Sequence, residues 1–119
     1  VSRMPEFLDE AGPLMKEILP GVRPVPFGHL GDGNLHYNLS QPEGMDKSAF
    51  PDMWNTFNKV VHELAVAKGG MFSAEHGIGS LKADELARLT DAVDMQLMHT
   101  IKQALDPKGI MNPGRVLKA

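Results

Sequence analysis

The sequence predicts an α+β fold in which helices pack on one face of an antiparallel sheet. Residues 48–68 and 91–105 repeat apolar side chains at helical spacing. Residues 34–40 instead alternate apolar and polar side chains, as a strand with one buried face does. The turn-forming pair Asp32-Gly33 precedes that strand and predicts a hairpin. Helices combined with an antiparallel hairpin in one short chain are typical of this fold class.

Composition excludes several classes of protein. The chain has 119 residues, enough for one small domain, and its formal net charge is −3 with no basic run that would indicate a nucleic-acid partner. It has no apolar run long enough to cross a membrane. Because it has no cysteine, it can form neither a disulfide nor a thiolate zinc site. We expect a cytoplasmic location, and a start at Val1 rather than methionine suggests a piece of a longer protein.

The first segment is predicted to be helical. Its apolar residues keep a helical period: Leu8, Ala11, Met15 and Ile18. Gly12-Pro13 should divide it into two short helices, and Pro20-Gly21 should end it. The following "VRPVPF" is expected to be extended and to lie at a sheet edge, because proline cannot donate to a central ladder.

The hairpin is predicted to close through a two-residue turn at Asp32-Gly33, which would place His29 directly opposite His36. The strand after the turn has an apolar face, predicted to pack on the core: Leu35, Tyr37 and Leu39. Its other face is polar: Asn34, His36, Asn38 and Ser40. Two histidines beside asparagines are unusual on a simple solvated surface.

The second half predicts further helices around a glycine-rich loop. The longest helix is expected to run from Ser48, as its cap, to Lys68, with Gly69-Gly70 ending it. The remaining predicted elements are a short strand "MFSA" at 71–74, the Glu75-His76 loop, helices over 82–89 and 91–105, and a tail that is irregular or a last short strand. Asp106-Pro107 should end the last helix.

The two glycine-rich stretches could hold a metal ion. Opposed residues of an antiparallel pair have β-carbons about 5 Å apart, so His29 and His36 could share one divalent cation. Glu75 would complete a His₂Glu set that leaves positions open for water or substrate. These donors suit Zn²⁺, and also Mn²⁺, Co²⁺ or Fe²⁺. Glu75 and His76 are consecutive, so an extended backbone would point them in different directions, one toward metal and one toward substrate.

Less specific interpretations remain open at this point. Asp32-Gly33 is first of all a turn signal, a histidine on a strand is more often structural than a ligand, and spacing cannot show that the two stretches meet. A calcium loop is excluded because Tyr37 stands where an EF-hand requires glycine. HExxH and the phosphate-binding GxxxxGK are absent. His62 is expected to be a partly buried packing residue, and His99 to lie on the surface.

Three stretches together resemble one family. "GHLGDGNLHYN", "SAEHGIGSLK" and "ALDPKGIMNPGRVL" are similar, in order and spacing, to the C-terminal cap domain of FAD-linked oxidases. This family includes D-lactate dehydrogenase, the glycolate oxidase FAD subunit and D-2-hydroxyglutarate dehydrogenase. The resemblance covers residues 22–117, and "NPGR" stands where the family often has "NPGK".

The resemblance implies roles for five residues. His29, His36 and Glu75 would hold a divalent metal, expected to be Zn²⁺; Asn38 would bind substrate and His76 would be the catalytic base. The reaction implied is oxidation of a small D-2-hydroxy acid to a 2-oxo acid, with hydride transfer to FAD. The flavin-binding domain of the same protein would hold FAD, so residues 1–119 alone should bind no FAD tightly and turn over no substrate.

Two other hypotheses compete with the dehydrogenase. One is a stand-alone module that binds a metal or a hydroxy acid without redox activity, and the other is a purely structural domain. We also expect a homodimer, because a cut sheet edge and an exposed apolar face favour self-association.

Overall fold

The computed structural model describes residues 1–46 and 48–118, which belong to two compact units, Val1–Ala74 and Glu75–Ala119. The elements of the first unit are α1 (Met4–Ile18), β1 (Arg23–His29), β2 (Asn34–Ser40) and α2 (Trp54–Ala67). Those of the second unit are α3 (Ala83–Leu89) and α4 (Ala92–Leu105). Short 3₁₀ turns occupy Leu30–Asp32 and Pro51–Met53. Helices with an antiparallel pair of strands confirm the α+β prediction.

The core of the first unit lies between its two helices and one face of the hairpin. Met15 of α1, Val22 and Phe57 of α2 are buried at its centre. Burial of a side chain the size of Phe57 contributes about 2–3 kcal/mol to the free energy of unfolding. Partly buried residues surround this centre: Leu14, Ile18, Leu19, Tyr37, Leu39, Phe50, Met53, Val60 and Val61. The apolar face predicted for β2 is therefore confirmed, with Tyr37 and Leu39 packed on the core.

α1 is one continuous helix, so the predicted division at Gly12-Pro13 was wrong. Pro13 lies inside the helix, where it removes one backbone hydrogen bond. Phe7, Ala11 and Met15 are all buried along one face of α1. Because residues on both sides of the proline are buried, α1 continues through Pro13. These tertiary contacts cannot be read from the local sequence.

Gly12→Ala is expected to stabilise the protein. An alanine Cβ at this position would meet no heavy atom within 4 Å, and alanine loses less backbone entropy than glycine when a helix forms. The expected gain is roughly 0.5–1 kcal/mol in the free energy of unfolding, measured by urea denaturation. Gly44→Ala is the matched control, since Gly44 also has open space but a φ of +77°, and should lose stability instead. A loss in the Gly12 variant would contradict the prediction.

The hairpin closes differently from the prediction. β1 and β2 pair antiparallel with His29 opposite Asn34 and Phe27 opposite His36, so the predicted pairing of His29 with His36 was wrong. Residues 30–32 form a 3₁₀ turn instead of pairing, and Gly33 takes a left-handed conformation with φ +69°. A four-residue connection replaces the two-residue turn. Because the register shifts by two residues, each side chain stays on its predicted face.

Three other predicted boundaries in the first unit need correction or confirmation. α2 begins at Trp54 rather than Ser48, because the Ser48 amide donates to Asp46 Oδ1 at 2.9 Å and a 3₁₀ turn precedes the helix. Gly69, with φ +75°, follows the end of α2 as predicted. The predicted strand at 71–74 was wrong: within residues 1–46 and 48–118 the sheet has the two strands β1 and β2.

Phe72 is buried and its ring lies 5.1 Å from that of the half-buried His62, which confirms the packing role of His62.

The second unit follows its predicted helices closely. Asp91 caps α4 by accepting a hydrogen bond from the Val93 amide at 2.8 Å. Ala83 and Leu86 of α3 are buried, His99 is exposed as predicted, and the tail after α4 is irregular rather than a strand. Four large apolar side chains of α4 are exposed by half or more: Val93, Leu97, Ile101 and Leu105.

A buried carboxylate organises the turn after α4. Asp106, only 6% exposed, accepts hydrogen bonds from the amides of Ile110 at 3.0 Å and Met111 at 2.9 Å. Lys102 Nζ lies 2.6 Å from Asp106 Oδ2. Mainly through the Lys102 contact, and also through the two amides, the pKa of Asp106 is held below its usual 3.8. The sequence had assigned Asp106 only a role in ending α4.

Asp106→Asn is expected to destabilise the protein at neutral pH and to weaken its sensitivity to acid. A lowered folded-state pKa contributes stability that is complete above the unfolded pKa, near 4, and is lost as the pH falls through the folded pKa. The melting temperature should therefore fall by about 5 °C at pH 7, and the difference should shrink below about pH 4. Asp94→Asn, a change at an exposed position of α4, should lower the melting temperature much less. If the melting temperature of Asp106→Asn lies below that of wild type by the same amount at every pH, the lowered pKa of Asp106 is not the cause.

Candidate functional site

The first candidate site is the open face of the hairpin. His29 ends β1, and His36 and Asn38 belong to β2, and the pairing places all three side chains on the face opposite the core. His29 and His36 are diagonal neighbours rather than directly opposed residues. Diagonal neighbours lie about 7–8 Å apart and stay within reach of aromatic and long side chains. The face can therefore present the two imidazoles to one ligand, and Asn38 lies on the same face two residues beyond His36.

Phe27 supports His36 on this face. The two rings lie directly opposite each other in the ladder, with centroids 5.0 Å apart and an interplanar angle of 17°. Phe27 nevertheless keeps 56% of its surface exposed. Stacking against Phe27 limits the orientations of the His36 imidazole. The sequence interpretation missed Phe27, because the two-residue turn had paired it with Asn38.

Close backbone contact at Gly28 fixes the two strands next to the histidines. A Cβ added to Gly28 would lie 2.2 Å from the carbonyl oxygen of Asn34 and 2.9 Å from the Cα of Leu35. Only glycine fits this approach without movement of the backbone. Gly28 therefore sets the separation of the strand ends that carry His29 and His36.

A groove of about 750 Å³ in the first unit lies away from these residues. It is lined by the N-terminal segment, the core side of the hairpin and the end of α2, including Tyr37 and Lys68. Lys68 Nζ lies 2.6 Å from both Glu6 and Glu10, and these carboxylates raise the pKa of Lys68. The predicted ligands and Asn38 do not line this groove, so its size does not identify it as the predicted site.

The second candidate site is the loop that begins the second unit. Glu75 and His76 are exposed, and the side chain of His76 is 81% accessible. The predicted divergence of these two side chains was wrong: the loop is bent rather than extended, and His76 Nε2 lies 3.9 Å from Glu75 Oε2. Gly77 and Gly79 make the bends with φ values of +70° and +58°.

The predicted metal ligands are divided between the two units. His29 and His36 belong to the first unit and Glu75 to the second. Within residues 1–46 and 48–118, no group of three or more His, Asp or Glu side chains is arranged to hold a metal ion. Imidazole nitrogens and carboxylate oxygens are donor types that Zn²⁺ accepts.

The C-terminal segment contacts the loop that follows Glu75 and His76, within the second unit. The Val116 amide donates to the Gly79 carbonyl at 2.7 Å, and Arg115 donates to Ser80 Oγ at 3.4 Å. Lys118 forms an ion pair with Asp84 at the start of α3. The third sequence motif therefore packs against the second.

No helix of residues 1–46 and 48–118 is both long and apolar enough to cross a bilayer.

Comparison with known proteins identifies the family. The family model described as FAD linked oxidases, C-terminal domain, matches residues 1–116. The chain belongs to this family. The three motifs and the α+β architecture therefore describe an FAD-linked oxidase C-terminal domain, as the resemblance predicted.

Relatives of this domain are larger dehydrogenases. It is 41% identical over its whole length to 26% of a D-2-hydroxyglutarate dehydrogenase from Stutzerimonas stutzeri (strain A1501). It is 43% identical over 82% of its length to 21% of a D-lactate dehydrogenase from Archaeoglobus fulgidus. Over 92% of its length it is 38% identical to 19% of the mitochondrial D-2-hydroxyglutarate dehydrogenase of Bos taurus. The chain thus spans about a quarter or less of these relatives.

Proposed function

We propose that this domain is the metal- and substrate-binding part of a flavin-dependent dehydrogenase that oxidises a D-2-hydroxy acid to a 2-oxo acid. The observation that carries the proposal is the common face of the hairpin on which His29, His36 and Asn38 lie. A purely structural hairpin would not require two histidines and an amide on its outer face. Relatives named for oxidation of D-lactate and D-2-hydroxyglutarate support this class of substrate.

The substrate would be oriented by side chains of the hairpin and of the Glu75-His76 loop. His29, His36 and Glu75 would hold a divalent cation, Zn²⁺ by the nature of the donors, and the cation would supply Lewis acidity that lowers the pKa of the substrate hydroxyl. Asn38 would donate its side-chain N–H to the substrate carboxylate or hydroxyl. Phe27 stacks on His36 and limits its rotation, so the imidazole is ordered before the substrate arrives.

His76 would take the hydroxyl proton. Its side chain is 81% accessible and its Nε2 lies 3.9 Å from Glu75 Oε2, and imidazole is the side chain that enzymes most often use as a general base. FAD, held by the rest of the protein, would supply the hydride acceptor for the C2 hydrogen. His76 would receive the hydroxyl proton and the flavin the electron pair, so the substrate C–O bond would become the carbonyl of a 2-oxo acid.

Zinc titration of the chain by calorimetry tests the ligand assignment. The wild-type chain should bind Zn²⁺, and a His29→Ala, His36→Ala double variant should lose at least about tenfold in affinity, since both imidazoles are removed. His99→Ala is the matched control, an exposed histidine on α4 that should leave affinity unchanged. Equal affinity in wild type and double variant would refute the assignment of the histidines as ligands.

The size of the natural gene product separates the dehydrogenase from the stand-alone module. Antibody raised to this domain should detect a band several times larger than 13.0 kDa in an extract of the source organism. A band at 13.0 kDa would favour a free metal- or hydroxy-acid-binding module instead. The cytoplasmic location stays a prediction. The homodimer also stays a prediction, and sedimentation would test it by measuring the oligomeric state.

A further inference from the structure

Val116 has a backbone conformation that is rare for its side chain. Its φ is +65°, in the left-handed region that β-branched residues avoid because of Cβ crowding. The Leu117 amide donates to the Arg115 carbonyl at 2.7 Å, which makes Val116 the central residue of a three-residue γ-turn. The positive φ identifies the rare and strained form of that turn. Such a conformation persists only where the surrounding contacts impose it.

Contacts of the C-terminal segment explain what imposes this conformation. The Val116 amide donates to the Gly79 carbonyl at 2.7 Å, the shorter of the segment's two hydrogen bonds to the second loop. Arg115 and Lys118 bind on either side of it, to Ser80 and Asp84. Three attachments, at Arg115, Val116 and Lys118, therefore fasten the C-terminal segment to residues 79–80 and to the first turn of α3.

The attachment point is close to the residues of the proposed site. Gly79 lies three residues after His76, and both Gly77 and Gly79 are left-handed, a conformation that glycine adopts readily. Within the same stretch of chain, the Lys82 amide donates to the Ile78 carbonyl at 3.3 Å. The bond from Val116 to Gly79 adds a contact from a segment that is distant in sequence.

We propose that Val116 is a positioning residue for the Glu75-His76 loop, holding it through its strained amide. The inference deepens the proposed function, on which its catalytic meaning rests. The strain of the γ-turn at Val116 is offset by the contacts that Arg115, Val116 and Lys118 make, and the Val116 contact holds the backbone that follows His76. Val116 itself touches no reacting atom and acts through Gly79.

Order of the loop can be measured directly by ¹⁵N relaxation of the chain. Val116→Pro removes the donated N–H and forbids the positive φ, so the order parameters of Gly77 and Gly79 should fall from about 0.85 to below about 0.6. Those of α4 should not change. Val116→Gly is the matched control, because it keeps the N–H and adopts φ +65° without strain, and it should leave the loop ordered.

A second variant keeps the test decisive if the proline variant fails to fold. Removal of residues 116–119 deletes the same donor and should give the same loss of order. Unchanged order parameters at Gly77 and Gly79 in either folded variant would overturn the proposal. Loss of order in Val116→Gly as well would also overturn it, since the side chain rather than the amide would then be responsible.

Kinetics of the intact flavoprotein distinguish positioning from simple stability. Val116→Pro should lower kcat for the hydroxy acid by about tenfold with a smaller change in KM, because the base rather than the binding face is displaced. The glycine variant should restore kcat. If wild-type flavoprotein oxidises no D-2-hydroxy acid, the proposed function fails while the relaxation result still decides the role of Val116. An equal loss of kcat in both variants would reject the positioning role.

Discussion

Gly28→Ala should destabilise the first unit by about 3 kcal/mol or more in the free energy of unfolding. The added Cβ would lie 2.2 Å from the Asn34 carbonyl oxygen, a backbone atom that no rotamer change can move away. β1 and β2 must then separate where the hairpin begins to turn. The same movement changes the spacing of His29 and His36, so zinc affinity should fall together with stability.

Urea denaturation and zinc calorimetry measure the two effects of this change. Gly31→Ala is the matched control three residues away, because its Cβ would meet nothing within 4 Å and its φ is not positive. The control should change stability by less than about 1 kcal/mol. If the two alanine variants unfold at the same urea concentration, the close contact at Gly28 does not determine the hairpin.

His76→Gln should abolish most of the activity of the intact flavoprotein without affecting its fold. Loss of a general base typically lowers kcat by about 10²- to 10⁴-fold. Glutamine keeps a polar side chain of similar reach but cannot accept the hydroxyl proton at neutral pH. The His76 side chain is 81% exposed, so its replacement should leave the melting temperature within about 2 °C of wild type.

Stopped-flow measurement of flavin reduction by the hydroxy acid checks this expectation, because it isolates the step in which the proton and hydride leave. His99→Gln is the control, an exposed histidine on α4 that should reduce the flavin at the wild-type rate. A wild-type rate of reduction in the His76 variant would exclude it as the base. Faster hydrogen loss on its removal would contradict the proposed proton transfer altogether.

Local sequence signals were sufficient for much of the fold. Asp91 and Asp106 mark the two ends of α4 as predicted, since capping and stop signals act through neighbouring residues. The alternation in β2 gave the correct faces even though the register was displaced. A shift of two residues preserves the side to which each side chain points, so the predicted common face of His36 and Asn38 survived the error in the turn.

Two predictions were wrong because distant contacts overrode the local sequence signal. Pro13 has the local chemistry of a helix breaker, but burial of Phe7 and Met15 on either side of it keeps α1 continuous. The segment 71–74 has the composition of a strand, yet β1 and β2 form their ladder without it. A strand requires hydrogen-bond partners that its own sequence does not contain.

Sequence alone determined the residue types of the proposed site, the family of the domain and the faces of its hairpin, because spacing and glycine-rich turns are local properties. Only the tertiary structure decided that Phe27 rather than His29 faces His36. It also decided that Asp106 accepts hydrogen bonds from two backbone amides and pairs with Lys102. It also decided that Val116 is held in a strained turn by Gly79. Each of these depends on atoms brought together by register or by chain reversal. A linear pattern does not record such contacts, because their energy comes from the packed state and not from neighbours in the chain.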